Sequence, residues 1–403
     1  MLRKRFFFLA LAVTLALLPT AVLTGPRSLL DEPVTIWTAT DLHYIAPDLS
    51  GDYFALPASG GDGKAVYFAD EATQTLLKQA EREQPDLLIL SGDLTLNGAE
   101  QSHRELVEQL TTLQNSGVQV LTLAGNHDID GVCADYSTFD GEQMEIKPSL
   151  TAAQYRELYA PFGWDQAISR DEESLSYVYE VHPRLRILML DTNCAGKGYV
   201  QYSTLRWAQE QLRAARLQGI KVIGVSHQNL YAHNSLLSFG YQMYNAQDLL
   251  PIYQRGNLMC NLSGHVHVQS IVEGKVPEIA TGSLIVAGCR FGQLVYDGRN
   301  LTYDARSLEN EQLMADVRWY FEEVARKQTY GNFAESDLSQ AQIELLAETF
   351  AAINSAYFAG EPIDESAFAE GIALWRQQGG FVSRYIDTML TSGKQDNLHI
   401  GIQ

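Results

Sequence analysis

Five short apolar runs in this chain end in side chains that could bind a metal ion. Asp41 and His43 follow residues 34–40, and Gly92 and Asp93 follow 87–91. Gly125, Asn126, His127 and Asp128 follow 118–124, and His227 follows 222–226. Gly264, His265 and His267 close the series after 258–262. An isolated Asp or His at such a place is ordinarily a cap or a solvated loop group, but five such endings in succession form a pattern. The donors are oxygen from Asp41, Asp93 and Asn126 and nitrogen from His43, His227, His265 and His267. A mixed nitrogen and oxygen set without thiolate suits Mn, Fe, Zn or Co better than Ca. Seven donors exceed what one catalytic ion with an open position takes, so they suit two divalent ions.

The elements that must position these residues are β-rich runs alternating with helical patterns at 71–83, 100–115 and 204–217, which predicts an α/β fold. A strand is also expected at 185–190. In an open α/β sheet the carboxyl ends of the strands share one edge, where ligands bind. Extended chain points residues i and i+2 the same way, so Asp41 with His43, and His265 with His267, are each expected to present two donors to one place. Gly92, Gly125 and Gly264 are expected to permit tight turns before the polar groups. Later runs, 271–285 and 294–301, are short with glycine-rich breaks and predict a second sheet closing a sandwich.

From about Ala305 the pattern turns helical. Leu313, Val317 and Phe321 recur at four-residue spacing, as do Leu346, Phe350 and Asn354, with Ile353 and Tyr357 beside them. Further helices are expected at 366–377 and 381–390. The resulting organisation is a leader over 1–24, an α/β body over 30–304 and a helical appendage over 305–403. That appendage is expected to shape access to the site without supplying metal ligands.

In order, the five blocks read D-x-H, G-D, G-N-H-D, a lone His and G-H-x-H, and over residues 41–267 they resemble the calcineurin-like metallophosphoesterases. The resemblance implies a four-layer α/β/β/α sandwich. It also implies that Asp41, His43, Asp93 and His267 hold one ion while Asp93, Asn126, His227 and His265 hold the second. Two cations about 3.5–4 Å apart polarise phosphoryl oxygens and acidify a bridging water, giving hydroxide for in-line attack. By the same resemblance His127 is a catalytic residue that protonates the leaving oxygen or stabilises phosphoryl charge, and Asp128 orients it or a ligating histidine. The run Gly92-Asp93-Leu94-Thr95 with Gly98 is similar to the phosphodiesterase side of the family, and the body resembles exported bacterial members. One departure is Ser226-His227-Gln228-Asn229, where the family often has Gly before the histidine and Pro two residues after it.

The expected function is an exported, two-metal phosphoric ester hydrolase acting on a small phosphate ester. Within enzymes the alternative is a cyclic-nucleotide phosphodiesterase. From another class it is a non-catalytic, metal-containing surface binding protein, which metal content plus turnover of a phosphodiester separates from the first two. Two rival motifs fail: Gly63-Lys64 lacks the upstream Gly of a phosphate-binding loop, and Gly224-Val225-Ser226 lacks the second Gly of a nucleophile elbow.

Composition bounds these readings. The 403 residues are 46% hydrophobic and 19% charged, so a disordered chain is excluded. Lys and Arg number 29 against 49 Asp and Glu, a net charge of −20, which disfavours nucleic acid as a partner. No protein partner is expected. Arg3, Lys4 and Arg5 precede an apolar run over 6–23, the layout of a secretory signal or an uncleaved membrane anchor. Cys133, Cys194, Cys260 and Cys289 permit three pairings, none in a C-x-x-C pattern, and are expected as buried thiols.

Overall fold

The computed structural model describes residues 32–50, 63–130, 136–139, 144–147 and 149–403. The apolar leader run and Cys133 lie outside the described residues. Among those described, no helix is long and apolar enough to cross a membrane, and Cys194, Cys260 and Cys289 are free thiols.

Five strands carry the site: β1 (Val34–Ala39), β2 (Leu87–Leu90), β3 (Gln119–Thr122), β4 (Lys221–Ser226) and β5 (Asn261–Ser263). The first three are parallel neighbours at one end of a six-stranded sheet, which continues from β1 through Arg290–Tyr296, Leu301–Ser307 and His399–Ile402. The other two, with Leu185–Leu190, form the parallel centre of a seven-stranded sheet.

Alternation of side chains along the strands produces the layers. In β1, Ile36 faces a core shared by the two sheets while Trp37 faces the helices Ala69–Glu83 and Glu100–Asn115; in β2, Leu87 and Ile89 face inward while Leu88 and Leu90 face the same helices. Leu185–Leu190 does the same in the second sheet, with Ile187 and Met189 in the shared core and Leu188 and Leu190 against Tyr202–Leu217 and Ala246–Gly256. Both sheets are therefore buried on both faces at their central strands, and the order of layers is α/β/β/α.

Three features differ from expectation. The runs 271–285 and 294–301 do not make one sheet: Ser270–Val272 and Glu278–Ala280 extend the seven-stranded sheet, whereas Arg290–Tyr296 and Leu301–Ser307 form a hairpin in the other. The strand expected at 258–262 starts only at Asn261, because Asn257 adopts a left-handed conformation ending the helix Ala246–Gly256 and the next residues serve to leave it. The C-terminal region is not helical to its end, since His399–Ile402 returns to the six-stranded sheet and pairs antiparallel with Leu301–Ser307.

Between those strands lie α1 (Glu311–Phe333), α2 (Gln340–Phe358), α3 (Ala369–Gln378) and α4 (Gly380–Ser392). The expected stripes are buried, with Leu313, Val317 and Phe321 inward on α1 and Leu346, Phe350, Ile353 and Tyr357 inward on α2. Leu346, Phe350, Trp375 and Ile386 pack on Val266 and Val268. The helical layer thus leans on the loop that carries His265 and His267.

Candidate metal centre

All five strand ends reach one edge of the sandwich, and their side chains form two clusters. Asp41, His43, Asp93 and His267 each offer an atom within 4.8 Å of the others, and so do Asp93, His227 and His265. Asp93 belongs to both. Asn126 joins the second, with Oδ1 3.1 Å from His227 Nε2. The seven residues singled out as ligands are therefore brought together.

The backbone achieves this differently from the alternation of extended chain. Asp41, His43, Asp93, His265 and His267 all have φ between 43° and 67°, the left-handed region that non-glycine residues rarely enter. Each pair of donors sits on a coiled turn held by neighbours: Asp41 N–H donates to the Gly92 carbonyl and His43 N–H to that of Asp93, both at 3.0 Å. Strain of this kind persists only where the surroundings over-determine it, and its concentration here marks a working site. The glycines serve close approach as well as turning. Gly92 has φ +103° and any Cβ there would strike the His227 ring, while a Cβ on Gly264 would strike Thr40 and Asp41.

Hydrogen bonds fix how each donor faces the cluster. Asp41 Oδ2 accepts from Thr40 Oγ1 at 2.7 Å and from His265 N–H at 2.8 Å. Its other oxygen, Oδ1, is buried and accepts no hydrogen bond, yet lies 3.1 Å from His267 Nε2 and 3.9 Å from His43 Nε2. A buried anionic oxygen without a donor is costly, and a cation shared with two imidazoles answers it. His227 Nδ1 donates to the Ser91 carbonyl at 3.0 Å, leaving Nε2 for the cluster, 3.2 Å from Asp93 Oδ2. His265 Nε2 donates to the Gly240 carbonyl at 2.8 Å, leaving Nδ1. Such outer bonds set tautomer and ring orientation in metal sites. The residues present fit divalent ions bound through nitrogen and oxygen.

The electrostatics agree. Burial would raise the Asp93 carboxyl, but the charges of His227 and His127 hold it well below the usual range. Burial would lower His227, and Asp93 and Asp41 instead push it up to about 9. The carboxylates thus draw positive charge to this point, as they would draw a cation.

His127 lies beside the clusters: its N–H donates to Asp93 Oδ1 at 2.8 Å, and its Nε2 stands 4.0 Å from Asp93 Oδ2. Asp128 does not contact the His127 ring. Its carboxylate accepts from Leu94 N–H, Thr95 N–H, the Thr95 hydroxyl and Gly125 N–H, tying the Asp93 loop to the Asn126 loop. Burial and the Asp93 charge push Asp128 up to about 6 against those donors. The His127 ring is instead met by Asn97, whose Oδ1 is 2.8 Å from Nδ1, and by the Leu96 backbone.

Asn97 is among the residues that sequence reasoning missed, although it stands inside the singled-out run from Gly92 to Gly98. Lys64 is another: weighed only as part of a phosphate loop, it is 7% exposed and its charge depresses both His43 and His127. Lys197 Nζ donates to the Asn126 carbonyl at 2.7 Å. Gln228, in the run that departs from the family pattern, donates to Asn126 Oδ1 at 3.2 Å and Asn193 Oδ1 at 2.9 Å and accepts from Thr192. Asn229 Nδ2 donates to Ser263 Oγ and the Gly264 carbonyl, so the unusual Gln-Asn pair braces two ligand loops at once.

The model of the calcineurin-like phosphoesterase family matches residues 34–269, more than half of the chain. A second model, the C-terminal domain of cyclic nucleotide phosphodiesterase, matches residues 309–396. A protein of Moraxella catarrhalis named a probable cyclic nucleotide phosphodiesterase is 23% identical over 208 residues, which cover 51% of this chain and 63% of that relative's length. Among solved structures, a dimetal phosphatase from Danio rerio is similar at 12% identity and a TM-score of 0.47, covering 69% of this chain and 97% of that one. A purple acid phosphatase from yellow lupin seeds is similar at 14% identity and 0.46, covering 69% and 52%.

Proposed function

We propose, for a chain that belongs to the calcineurin-like phosphoesterase family, that it is a two-metal phosphodiesterase whose substrates are cyclic nucleotides. The observation that carries the reading is the sharing of Asp93 between two clusters of nitrogen and oxygen donors. Asp41, His43, Asp93 and His267 would hold one divalent ion, and Asp93, Asn126, His227 and His265 a second. Two such cations supply charge to the phosphoryl oxygens and lower the pKa of water for attack. The chain's own residues do the rest: Gln228 and Lys197 fix Asn126, Asp128 pins two ligand loops together, and His127 faces the site as the proton donor to the leaving oxygen.

The choice of cyclic nucleotides over other diesters is favoured by the similarity of residues 309–396 to the C-terminal domain of cyclic nucleotide phosphodiesterase and by the name of the Moraxella relative. Export belongs to the same proposal and rests on the basic start and apolar run over 3–23. The test is protein stripped of metal and reconstituted with Mn, Fe, Zn or Co, assayed on 3′,5′-cyclic nucleotides, bis(4-nitrophenyl) phosphate and phosphomonoesters. Metal-dependent opening of cyclic nucleotides is the expected result. Turnover of monoesters alone would overturn the diesterase reading, and turnover of bis(4-nitrophenyl) phosphate without any cyclic nucleotide would overturn the substrate class.

A further inference from the structure

Glu278 opens Glu278–Ala280, the strand that pairs with β5, and its side chain is buried. Four N–H groups meet its two oxygens. Oε1 accepts from Leu230 N–H at 2.7 Å and from Asn261 Nδ2 at 3.0 Å, while Oε2 accepts from Tyr231 N–H at 2.7 Å and from His233 Nε2 at 3.2 Å. A buried carboxylate is costly unless its oxygens are met in this way. Three of the four donors belong to the segment that leaves His227. We propose that Glu278 is a positioning residue for the second ion, setting the place of His227 and the tautomer of His265 through that segment. The inference rests on the two-ion reading and names a residue outside the ligands on which one of the two sites depends.

Two routes lead from Glu278 to a ligand, and the first ends at His227. Asn261 Nδ2 also donates to Ser226 Oγ at 3.0 Å, and that hydroxyl donates to the Gln228 carbonyl at 2.9 Å. His227 therefore has a tethered residue on each side, and Glu278 pins the chain again just beyond, at Leu230 and Tyr231. This is the run that departs from the family pattern. Where a Pro would stiffen the loop through its ring, the chain has a set of charge-assisted hydrogen bonds instead.

The second route ends at His265. From Asn229 the segment folds back on itself: Met243 N–H donates to the Asn229 carbonyl at 2.9 Å, and Asn229 N–H to the Tyr241 carbonyl at 3.2 Å. Gln242 Nε2 adds a bond to the Leu230 carbonyl at 3.0 Å. The returning arm carries Gly240, whose carbonyl accepts the His265 Nε2 proton at 2.8 Å. Glu278 thus holds one arm, that arm holds the other, and the other presents the carbonyl that leaves His265 Nδ1 for an ion. A ligating imidazole that loses its outer bond is free to turn or change tautomer, and such partners are typically worth about 10–100-fold in metal affinity. Neither route runs through Asp41, His43 or His267, so the first ion should be spared.

The experiment uses the full-length protein stripped of metal. Glu278→Gln keeps the size but turns one acceptor into an amide donor that confronts the N–H groups around it. Because a buried change of this kind can cost the fold, Gln242→Ala, at a half-buried position, probes the second route from outside the core and decides the matter if Glu278→Gln does not fold. Calorimetric titration with manganese should show, for Glu278→Gln, an affinity about 10–100-fold weaker at the site that His227→Ala is expected to deplete, with the other site unchanged. Gln242→Ala should weaken the same site by about 3- to 10-fold, the loss of one hydrogen bond. Proton–nitrogen correlation spectra of the metal-free protein read the His265 ring without any ion or turnover. Its proton should sit on Nε2 in the wild type and be shared between Nε2 and Nδ1 in both variants. Equal weakening of both ions, or a proton that stays on Nε2 with metal affinity unaltered, would overturn the proposal. If the wild type takes up one ion only, the two-ion reading fails, and the His265 tautomer then decides the positioning role by itself.

Discussion

Asn97 Oδ1 lies 2.8 Å from His127 Nδ1, so the proton on His127 is placed from outside the metal clusters. The amide oxygen accepts only, which puts a proton on Nδ1 and turns Nε2 toward Asp93 Oδ2, 4.0 Å away. Delivery of a proton through Nε2 then requires the doubly protonated ring. Burial, with the charge of Lys64, holds the ring below the ordinary imidazole range against the pull of Asp93, so the doubly protonated form has to be drawn up as the leaving oxygen gains charge.

A leaving-group test follows for this pair. General acid catalysis is worth about 10²–10⁴ in rate, and a nitrophenolate departs without it. His127→Ala should therefore slow esters with alkoxide leaving groups by that factor while barely affecting nitrophenyl esters, with metal content unchanged. Asn97→Ala should move in the same direction by a smaller factor, since it frees the ring without removing it. Equal slowing of both ester types in the two variants would reject the proton-donor role.

For the metal ligands the expectation concerns occupancy. Asp93 Oδ2 faces both His227 Nε2, at 3.2 Å, and His43 Nε2, at 4.0 Å, while Oδ1 is engaged by His127 N–H. Asp93→Asn keeps the size and loses the charge common to the two clusters, so both ions should fall in elemental analysis. His43→Ala should deplete mainly one and His227→Ala the other. Full double occupancy in Asp93→Asn would sink the bridging assignment.

These residues were legible because their types follow apolar runs in a fixed order, and strand ends in such a sheet share an edge. Their conformation was not. A donor pair spaced i and i+2 reads as extended chain, whereas Asp41, His43, His265 and His267 are left-handed, held by loops distant in sequence. Asn97 lay hidden because one amide in Leu-Thr-Leu-Asn carries no spacing signal. The helix Ala246–Gly256 contains Pro251, which ordinarily interrupts a helical pattern. The strand His399–Ile402 has four residues and a partner about a hundred positions away, too little for periodicity to register.

His103 should make stability depend on acidity. Its Nε2 faces the Asp128 carbonyl and Thr95 Oγ1, both at 3.2 Å, and its Nδ1 faces the Tyr159 hydroxyl at 2.9 Å. The carbonyl only accepts, so Nε2 donates and Nδ1 accepts from Tyr159, a neutral ring with both nitrogens satisfied. Burial lowers its pKa from 6.5 to about 3. The unfolded chain then binds this proton first, so the contribution is complete above pH 6.5 and is lost progressively as pH falls toward 3. At about 1.4 kcal/mol per unit the total is on the order of 5 kcal/mol. Urea unfolding of wild type and His103→Gln across that window should show the difference between them shrinking on acidification. A difference independent of pH would refute the assignment.

The last strand makes a prediction about how the helical layer is fastened. The chain leaves the six-stranded sheet at Ser307, builds α1 to α4, and returns to the same sheet with Ile402 opposite Leu301 and Gly401 opposite Thr302. Ile402 is 8% exposed and packs into the core between the sheets, whereas the neighbouring His399–Asp304 pair is about half exposed on both sides. Burial should decide the outcome. Exposed ion pairs contribute about 0–1 kcal/mol, while truncating a buried Ile to Ala costs about 2–5 kcal/mol. Ile402→Ala should thus lower the unfolding free energy by an amount near the bottom of that range, because the site lies at a sheet edge, and His399→Ala should change it little. Deleting residues 399–403 should exceed both, since it also leaves the Leu301–Ser307 edge unpaired and releases the far end of the helical layer. An unchanged urea midpoint in the deletion would show that the layer is held only by its packing on Val266 and Val268.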